Sequence, residues 1–332
     1  MPVAARLKAG LCALVLVLSA CDQPGEPPAP APAETAPGPE ESAKLTPREA
    51  DALSRFQSGA SELLRALAVC TDTFTTLGEQ FLNQPQEAHL DSLKAQWQGC
   101  YDRYQASTML TGFSPDQREL LRQWRQRLGS PLTMPGFIDS IQGYPHSGIV
   151  NDASLPLTVE ALREQQGLTD DAEVSTGFQV VEFLLWGEGA DNPDLPPRPV
   201  SDYQEIQQWP AANAGLPVSE HPNNRRRRLL ALELAILAED SQGLLAAWQS
   251  GNLPPTQAAA HTWRLQQAQA MLSALEANPD NAVLREYLQR WVQQQVIPLL
   301  PPGDPDTDLE SRLTQALEVW LKAPPSPGRT TP

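Results

Sequence analysis

The chain has 332 residues, of which 40 are acidic and 24 are basic, so its formal net charge at pH 7 is -16. This balance argues against nucleic acid and anionic lipid surfaces as partners, because both would be repelled. Net charge alone does not decide between a solvated acidic surface and one that binds cationic peptides or metal cations.

The first element is a targeting segment over residues 1–20. Arg6 and Lys8 form its basic start, and residues 9–18 form an apolar run too short to span a bilayer permanently. The segment leads into Leu-Ser-Ala-Cys at Cys21, which resembles the bacterial lipobox and implies that the Cys21 thiol carries lipid. We expect a lipoprotein that faces the periplasm from a bacterial membrane, either inner or outer. An ordinary secretory signal cleaved nearby is the alternative, and it would leave no anchor.

Residues 21–47 are rich in Pro, Ala and Glu and contain almost no large apolar side chains. Such a segment cannot form a core, so we predict an extended tether.

Two helices are predicted next, over residues 48–82 and 87–107, around a turn at Pro85. Cys70 and Cys100 each lie fifteen residues from Pro85. An antiparallel helical hairpin would bring the two cysteines level, so we predict a disulfide between them in an oxidising compartment.

The remaining pattern is also helical, which predicts an all-α protein of two packed helical bundles. The N-terminal bundle covers residues 48–190, a Pro-rich connector covers 191–222, and the C-terminal bundle covers 223–323, before a disordered tail at 324–332. Further helices are expected at 117–128, 157–166, 173–188, 223–249, 256–276, 282–296 and 308–322.

The helix predicted over residues 173–188 is apolar on nearly every side, which is typical of a buried helix. At 100° per residue, Ser175, Gln179 and Glu182 fall on one polar stripe. An unpaired carboxylate in an apolar interior is very costly, so Glu182 is the leading candidate for a site residue. The alternative is structural, with Glu182 paired to an arginine and Gln179 satisfying a helix end.

Two further features are candidate partners of that stripe. Four consecutive arginines at residues 225–228 open a helix, and they either pair with Glu220, Glu233 or the acidic surface, or supply one cation to Glu182. His146 lies in a loop-rich stretch, residues 130–156, and is expected at the surface unless that loop folds over the helix predicted at 173–188.

The stretch GFQVVEFLLWG, residues 177–187, resembles the signature helix of the imelysin family, whose motif is Gly-x-His-x-x-Glu followed by an aromatic-Leu-Leu-Trp-Gly run. Gly177 and Glu182 match that motif, whereas Gln179 stands where the family has histidine. The resemblance implies an all-helical extracytoplasmic protein of two bundles, and it implies an early-helix glutamate that is replaced here by Thr108. Family members are often associated with iron uptake, and some are classed as metallopeptidases.

From this resemblance we expect a binding or accessory component of iron acquisition, with partners among iron-acquisition proteins and a ligand set drawn from Glu182, Gln179, Ser175, Thr108 and His146. Amide and hydroxyl oxygens are poor ligands for zinc or ferrous iron, so a metal cofactor, iron or zinc, is expected only if Glu182 recruits help from a distant residue such as His146. In that alternative the protein is a metallopeptidase that uses Glu182. A third possibility is a scaffold for partner proteins that holds no ligand.

Overall fold

The computed structural model describes residues 43–190, 192, 194–209 and 215–291. Cys21, most of the predicted tether, the end of the predicted helix over 282–296, the helix over 308–322 and the tail lie outside these residues. The described part is all-α, as predicted, and its only β-type pairings are isolated bridges such as the one between Lys44 and Thr256.

Eight α-helices make up this part of the fold. In chain order they are α1 (Pro47–Asn83), α2 (Glu87–Ser107), α3 (Pro115–Gly129), α4 (Val159–Gln165), α5 (Phe178–Trp186), α6 (Pro222–Gln249), α7 (Gln257–Ala277) and α8 (Ala282–Trp291). Short 3-10 turns occupy Pro135–Phe137, Ile149–Asn151, Gly187–Ala190, Val200–Tyr203 and Val218–Glu220. None of the described helices is both long and apolar enough to pass through a membrane.

At the start of several helices, side chains accept hydrogen bonds from backbone N–H groups of the first turn. Thr46 and Glu49 form a reciprocal capping box before α1, and the hydroxyls of Ser114, Thr158 and Thr256 cap α3, α4 and α7. The helix predicted over 173–188 is shorter in the structure, because its first residues are an irregular segment and only 178–186 are α-helical.

The core forms where α6 packs against α1, and α1 in turn packs against α2. Gly78 of α1 allows close contact, since a Cβ there would lie 2.2 Å from Cδ1 of Leu234 in α6. Phe56, Phe113, Trp248 and Trp263 form an aromatic cluster, with ring centroids 5.1 Å apart for Phe56 and Trp263. Helices that precede the predicted connector therefore pack against helices that follow it. The division into two bundles stays a prediction.

The predicted disulfide is present between Cys70 of α1 and Cys100 of α2, whose Cα atoms are 5.5 Å apart. The amide of Gln96 donates to the Cys70 carbonyl at 2.9 Å and helps to hold the hairpin together. A bridge that closes a loop of this size contributes about 3–4 kcal/mol in the chain-entropy account.

Candidate functional site

The signature helix α5 is held at its start by backbone contacts that only glycine allows. Gly177 caps α5 with φ 113°, and a Cβ at this position would lie 2.8 Å from the Leu128 carbonyl oxygen. The indole Nε1 of Trp97 in α2 donates to the Phe178 carbonyl at 2.8 Å. These contacts fix which side of α5 faces α2.

A partly exposed surface lies between α2 and α5, and we call it the α2–α5 face. It consists of Lys94, Trp97, Tyr101, Gln179, Glu182 and Trp186. The rings of Trp97 and Tyr101 are stacked with centroids 4.7 Å apart, and Trp97 meets Trp186 edge to face at 5.4 Å. The Lys94 ammonium lies 5.3 Å from the Trp186 ring centroid, in cation-π geometry.

Gln179 occupies the centre of this face. Its amide Nε2 donates to the Tyr101 hydroxyl at 3.1 Å. Its Oε1 is buried and has no hydrogen-bond partner within the described part of the chain. An unmet buried acceptor costs about 1–3 kcal/mol, so this oxygen calls for a donor.

Glu182 lies one turn after Gln179 on the same face and is half-buried. Burial raises the pKa of the Tyr101 phenol, and the negative charge of Glu182 raises it further, against the effect of the Gln179 hydrogen bond. Tyr101 is therefore a neutral hydroxyl at physiological pH, able to donate as well as accept.

The other predicted ligands are engaged elsewhere. Ser175 precedes the Gly177 break, and its hydroxyl donates to the Leu162 carbonyl at 2.7 Å rather than facing the Gln179 stripe. The Thr108 hydroxyl donates to the Gln105 carbonyl at 2.7 Å, at the end of α2. His146 is exposed, although its loop is tied to the region after α5 where the Gln142 N–H donates to Glu188 at 2.8 Å.

The arginines at the start of α6 pair partly with the acidic residues considered from the sequence. Arg225 pairs with Glu220, as considered from the sequence. Arg226 instead pairs with Asp139, through contacts of 2.6 and 3.1 Å, and Arg198 meets the same carboxylate at 2.9 Å. Burial raises the pKa of Asp139, but the two guanidiniums outweigh it and the net pKa is lowered. Sequence reasoning missed Asp139, because no local pattern links it to residues 59 and 87 positions away.

Glu233, which the sequence offered as a possible partner of the arginine run, lies buried behind α5 instead. The Glu233 carboxyl is completely buried and accepts a hydrogen bond from the Gly177 N–H at 3.2 Å, while its other oxygen has no partner among the described residues. Burial raises its pKa well above the usual value, and burial raises the pKa of nearby Asp240 to about 6, despite the Arg163 guanidinium 2.6 Å away. The signal was present in the sequence, since both acids lie on the leucine-rich face of α6.

The donor set of the α2–α5 face does not suit zinc or ferrous iron. It offers a carboxamide already hydrogen-bonded to a phenol, a neutral phenol and one carboxylate, where those metals prefer imidazole, thiolate and several carboxylates. In the part of the chain that the structure describes, no three His, Cys, Asp or Glu side chains are grouped as a metal site. What the face can do is accept hydrogen bonds from a ligand, through Gln179 Oε1 and the Glu182 carboxylate, beside aromatic rings.

Comparison with known families gives one match. Residues 61–313 match the family model of imelysin, which is named as a peptidase family. This span is more than half of the chain. Among curated proteins, none matches the chain.

Proposed function

The chain belongs to the imelysin family, and on that premise we propose that it is an extracytoplasmic lipoprotein that binds a hydrogen-bonding ligand and serves iron acquisition as a binding or accessory component. In this proposal the family's Gly-x-His-x-x-Glu site is degenerate. It has kept Glu182 and exchanged the histidine for Gln179.

The observation that carries the proposal is the state of the Gln179 amide. One end donates to Tyr101, and the other presents a buried acceptor without a partner among the described residues, one helical turn from Glu182. Two acceptors flanked by Trp97 and Trp186 favour a ligand with N–H or O–H donors and an apolar or cationic body.

The proposed location is the periplasmic face of a bacterial membrane, reached through lipid on Cys21. The lipobox-like sequence supports this, and the Cys70–Cys100 disulfide fits an oxidising compartment. At about 3 Å per residue, the tether over residues 21–47 would place the helical part up to about 80 Å from the membrane. The iron link is supported by the family alone.

A metallopeptidase is the second candidate, because the family that the chain matches is named as a peptidase family. That function would require Glu182 as ligand or general base and a metal held by residues beyond the α2–α5 face. Chelator-sensitive cleavage that is abolished by Glu182→Gln would support it. A scaffold without a ligand is the third candidate, and it predicts no effect of Glu182 substitutions on the cellular role.

The test is growth and radioactive iron uptake under iron limitation in a strain of the source organism that lacks the gene. We expect reduced uptake that is restored by the wild-type chain but not by Glu182→Ala. Glu62→Ala is the matched control, since Glu62 is exposed on α1, and it should restore uptake fully. Uptake that is unchanged by the deletion would contradict the iron role, and full rescue by Glu182→Ala would contradict the role of the site.

A further inference from the structure

A cavity lies between the loop at residues 153–157 and the beginning of α6, and it contains none of the residues of the α2–α5 face. Its volume is about 290 Å³, and it is lined by that loop together with Glu220, Arg225 and Arg228. This is at the lower end of the range for ligand pockets, so the cavity suits a small molecule.

Three of the four consecutive arginines have structural partners. Arg225 is buried and donates to the Ile149, Val150 and Leu155 carbonyls and to Glu220. Arg226 binds Asp139, and Arg227 donates to the Tyr203 carbonyl at 2.8 Å. Each arginine from 225 to 227 therefore has a partner within the fold.

Arg228 is different, since it is exposed at the cavity and makes no ion pair or hydrogen bond with any residue that the structure describes. Its planar guanidinium therefore presents a full set of N–H donors, in the geometry that binds a carboxylate through two parallel hydrogen bonds. The buried Arg225 forms a fixed wall beside it, because its own donors are directed at the loop carbonyls.

Glu220 provides the opposite charge in the same cavity. Its side chain is 22% exposed, and one of its oxygens accepts from Arg225. A carboxylate has about four lone-pair sites, so acceptor capacity remains on Glu220. Within the described residues, Glu220 and Arg228 do not form an ion pair with each other although both line the cavity, which leaves room for a ligand between them.

The combination of charges selects the chemical class of the ligand. A phosphate or sulfate ion on Arg228 would meet the negative charge of Glu220, and a simple cation near Glu220 would meet two guanidiniums. Most of the exposed lining is polar, and Leu155 and Pro156 contribute a small apolar patch. A small zwitterion satisfies both charges of the cavity, and its side chain can lie against that patch.

We propose that this cavity binds a free α-amino acid, with its carboxylate on Arg228, its ammonium group facing Glu220 and its side chain against Leu155 and Pro156. The site is separate from the α2–α5 face and does not depend on the proposed role in iron acquisition.

The test is calorimetric titration of the full-length chain in detergent with four probes, L-leucine, L-alanine, L-serine and L-glutamate, at millimolar concentration. For the strongest binder, the N-acetyl derivative removes the positive charge and the amide derivative removes the carboxylate. We expect at least one probe to bind and both of its derivatives to bind about tenfold more weakly or worse, since each derivative removes one charged group that makes strong hydrogen bonds.

Arg228→Gln should weaken binding by a similar factor, whereas Arg65→Gln, an exposed arginine of α1, should leave it unchanged. Far-ultraviolet circular dichroism checks that both variants fold. The proposal is overturned if none of the four probes binds, if inorganic phosphate binds as tightly as the best amino acid, or if Arg228→Gln binds like the wild type.

Discussion

Glu233 shows how a single buried carboxyl is linked to the signature helix. It accepts the Gly177 N–H at the start of α5, and burial raises its pKa well above the ordinary value of 4.5. Because the folded-state pKa is higher than the unfolded one, the folded state binds this proton more tightly. The resulting stability is fully present below about pH 4.5 and is lost as the pH rises through the raised pKa.

Replacing Glu233 by Gln should therefore make the protein less sensitive to alkaline pH, because the amide resembles the protonated acid in shape and carries no charge. We expect the free energy of unfolding of the variant to fall less than that of the wild type between about pH 5 and pH 9, measured by urea denaturation. Glu62→Gln is the control, since Glu62 is exposed on α1, and it should follow the wild-type profile. Parallel profiles for Glu233→Gln and the wild type would contradict the buried-acid account.

Part of the candidate site could be predicted residue by residue from the sequence. Gln179 and Glu182 were expected on one face of one helix, and the structure places them there. Ser175 was expected on the same stripe and lies off it, because Gly177 adopts a positive φ before the helix begins. The local sequence does not reveal that Gly177 breaks the helix, since the break depends on the close approach of Leu128 from α3.

At the scale of elements, Asp139 joins three segments that are distant in sequence. Its carboxylate lies in the loop before α4 and binds Arg226 of α6 and Arg198, which precedes the 3-10 turn Val200–Tyr203. The Asp139 side chain is fully buried and is the carboxylate that Arg226 pairs with, whereas Arg198 also meets Asp202 at 3.4 Å. Such a carboxylate fixes the long loop against α6.

Asp139→Asn should destabilise the fold by about 3–5 kcal/mol, because it removes the counter-charge of the buried Arg226 and leaves the buried Arg198 with only the partly exposed Asp202, 3.4 Å away. Chemical denaturation gives the value. The same substitution at Asp51, which is 64% exposed and pairs with Arg55 on the surface of α1, should cost less than about 1 kcal/mol. Equal effects for the two variants would show that the buried charges are compensated in another way.

Local signals predicted the long helices well and the junctions poorly. The predicted ranges 48–82 and 87–107 agree with α1 and α2 to within about one residue, because helix caps and proline turns act locally. Cys70 and Cys100 were paired from their equal distance to the turn at Pro85, and the structure contains the bridge. The Asp139 network could not be predicted, since its members come together only when the loop, α6 and the connector pack.

At the scale of the whole molecule, the imelysin family match raises one chemical question. That question is what the α2–α5 face binds. In the proposed function, the α2–α5 face keeps Glu182 of the family motif and carries Gln179 in place of the imidazole that a transition-metal site would need. A ligand with hydrogen-bond donors then replaces the metal as the expected occupant, since Gln179 Oε1 and Glu182 are both acceptors.

The most direct measurement is the metal content of the purified full-length chain by mass spectrometry, after dialysis against iron, zinc and copper and removal of free ions. Glu182→Ala and the exposed control Glu62→Ala are treated alongside. We predict far less than one metal ion per chain in all three proteins. One iron or zinc ion per chain in the wild type and in Glu62→Ala, lost in Glu182→Ala, would contradict the claim and restore metal chemistry to this face.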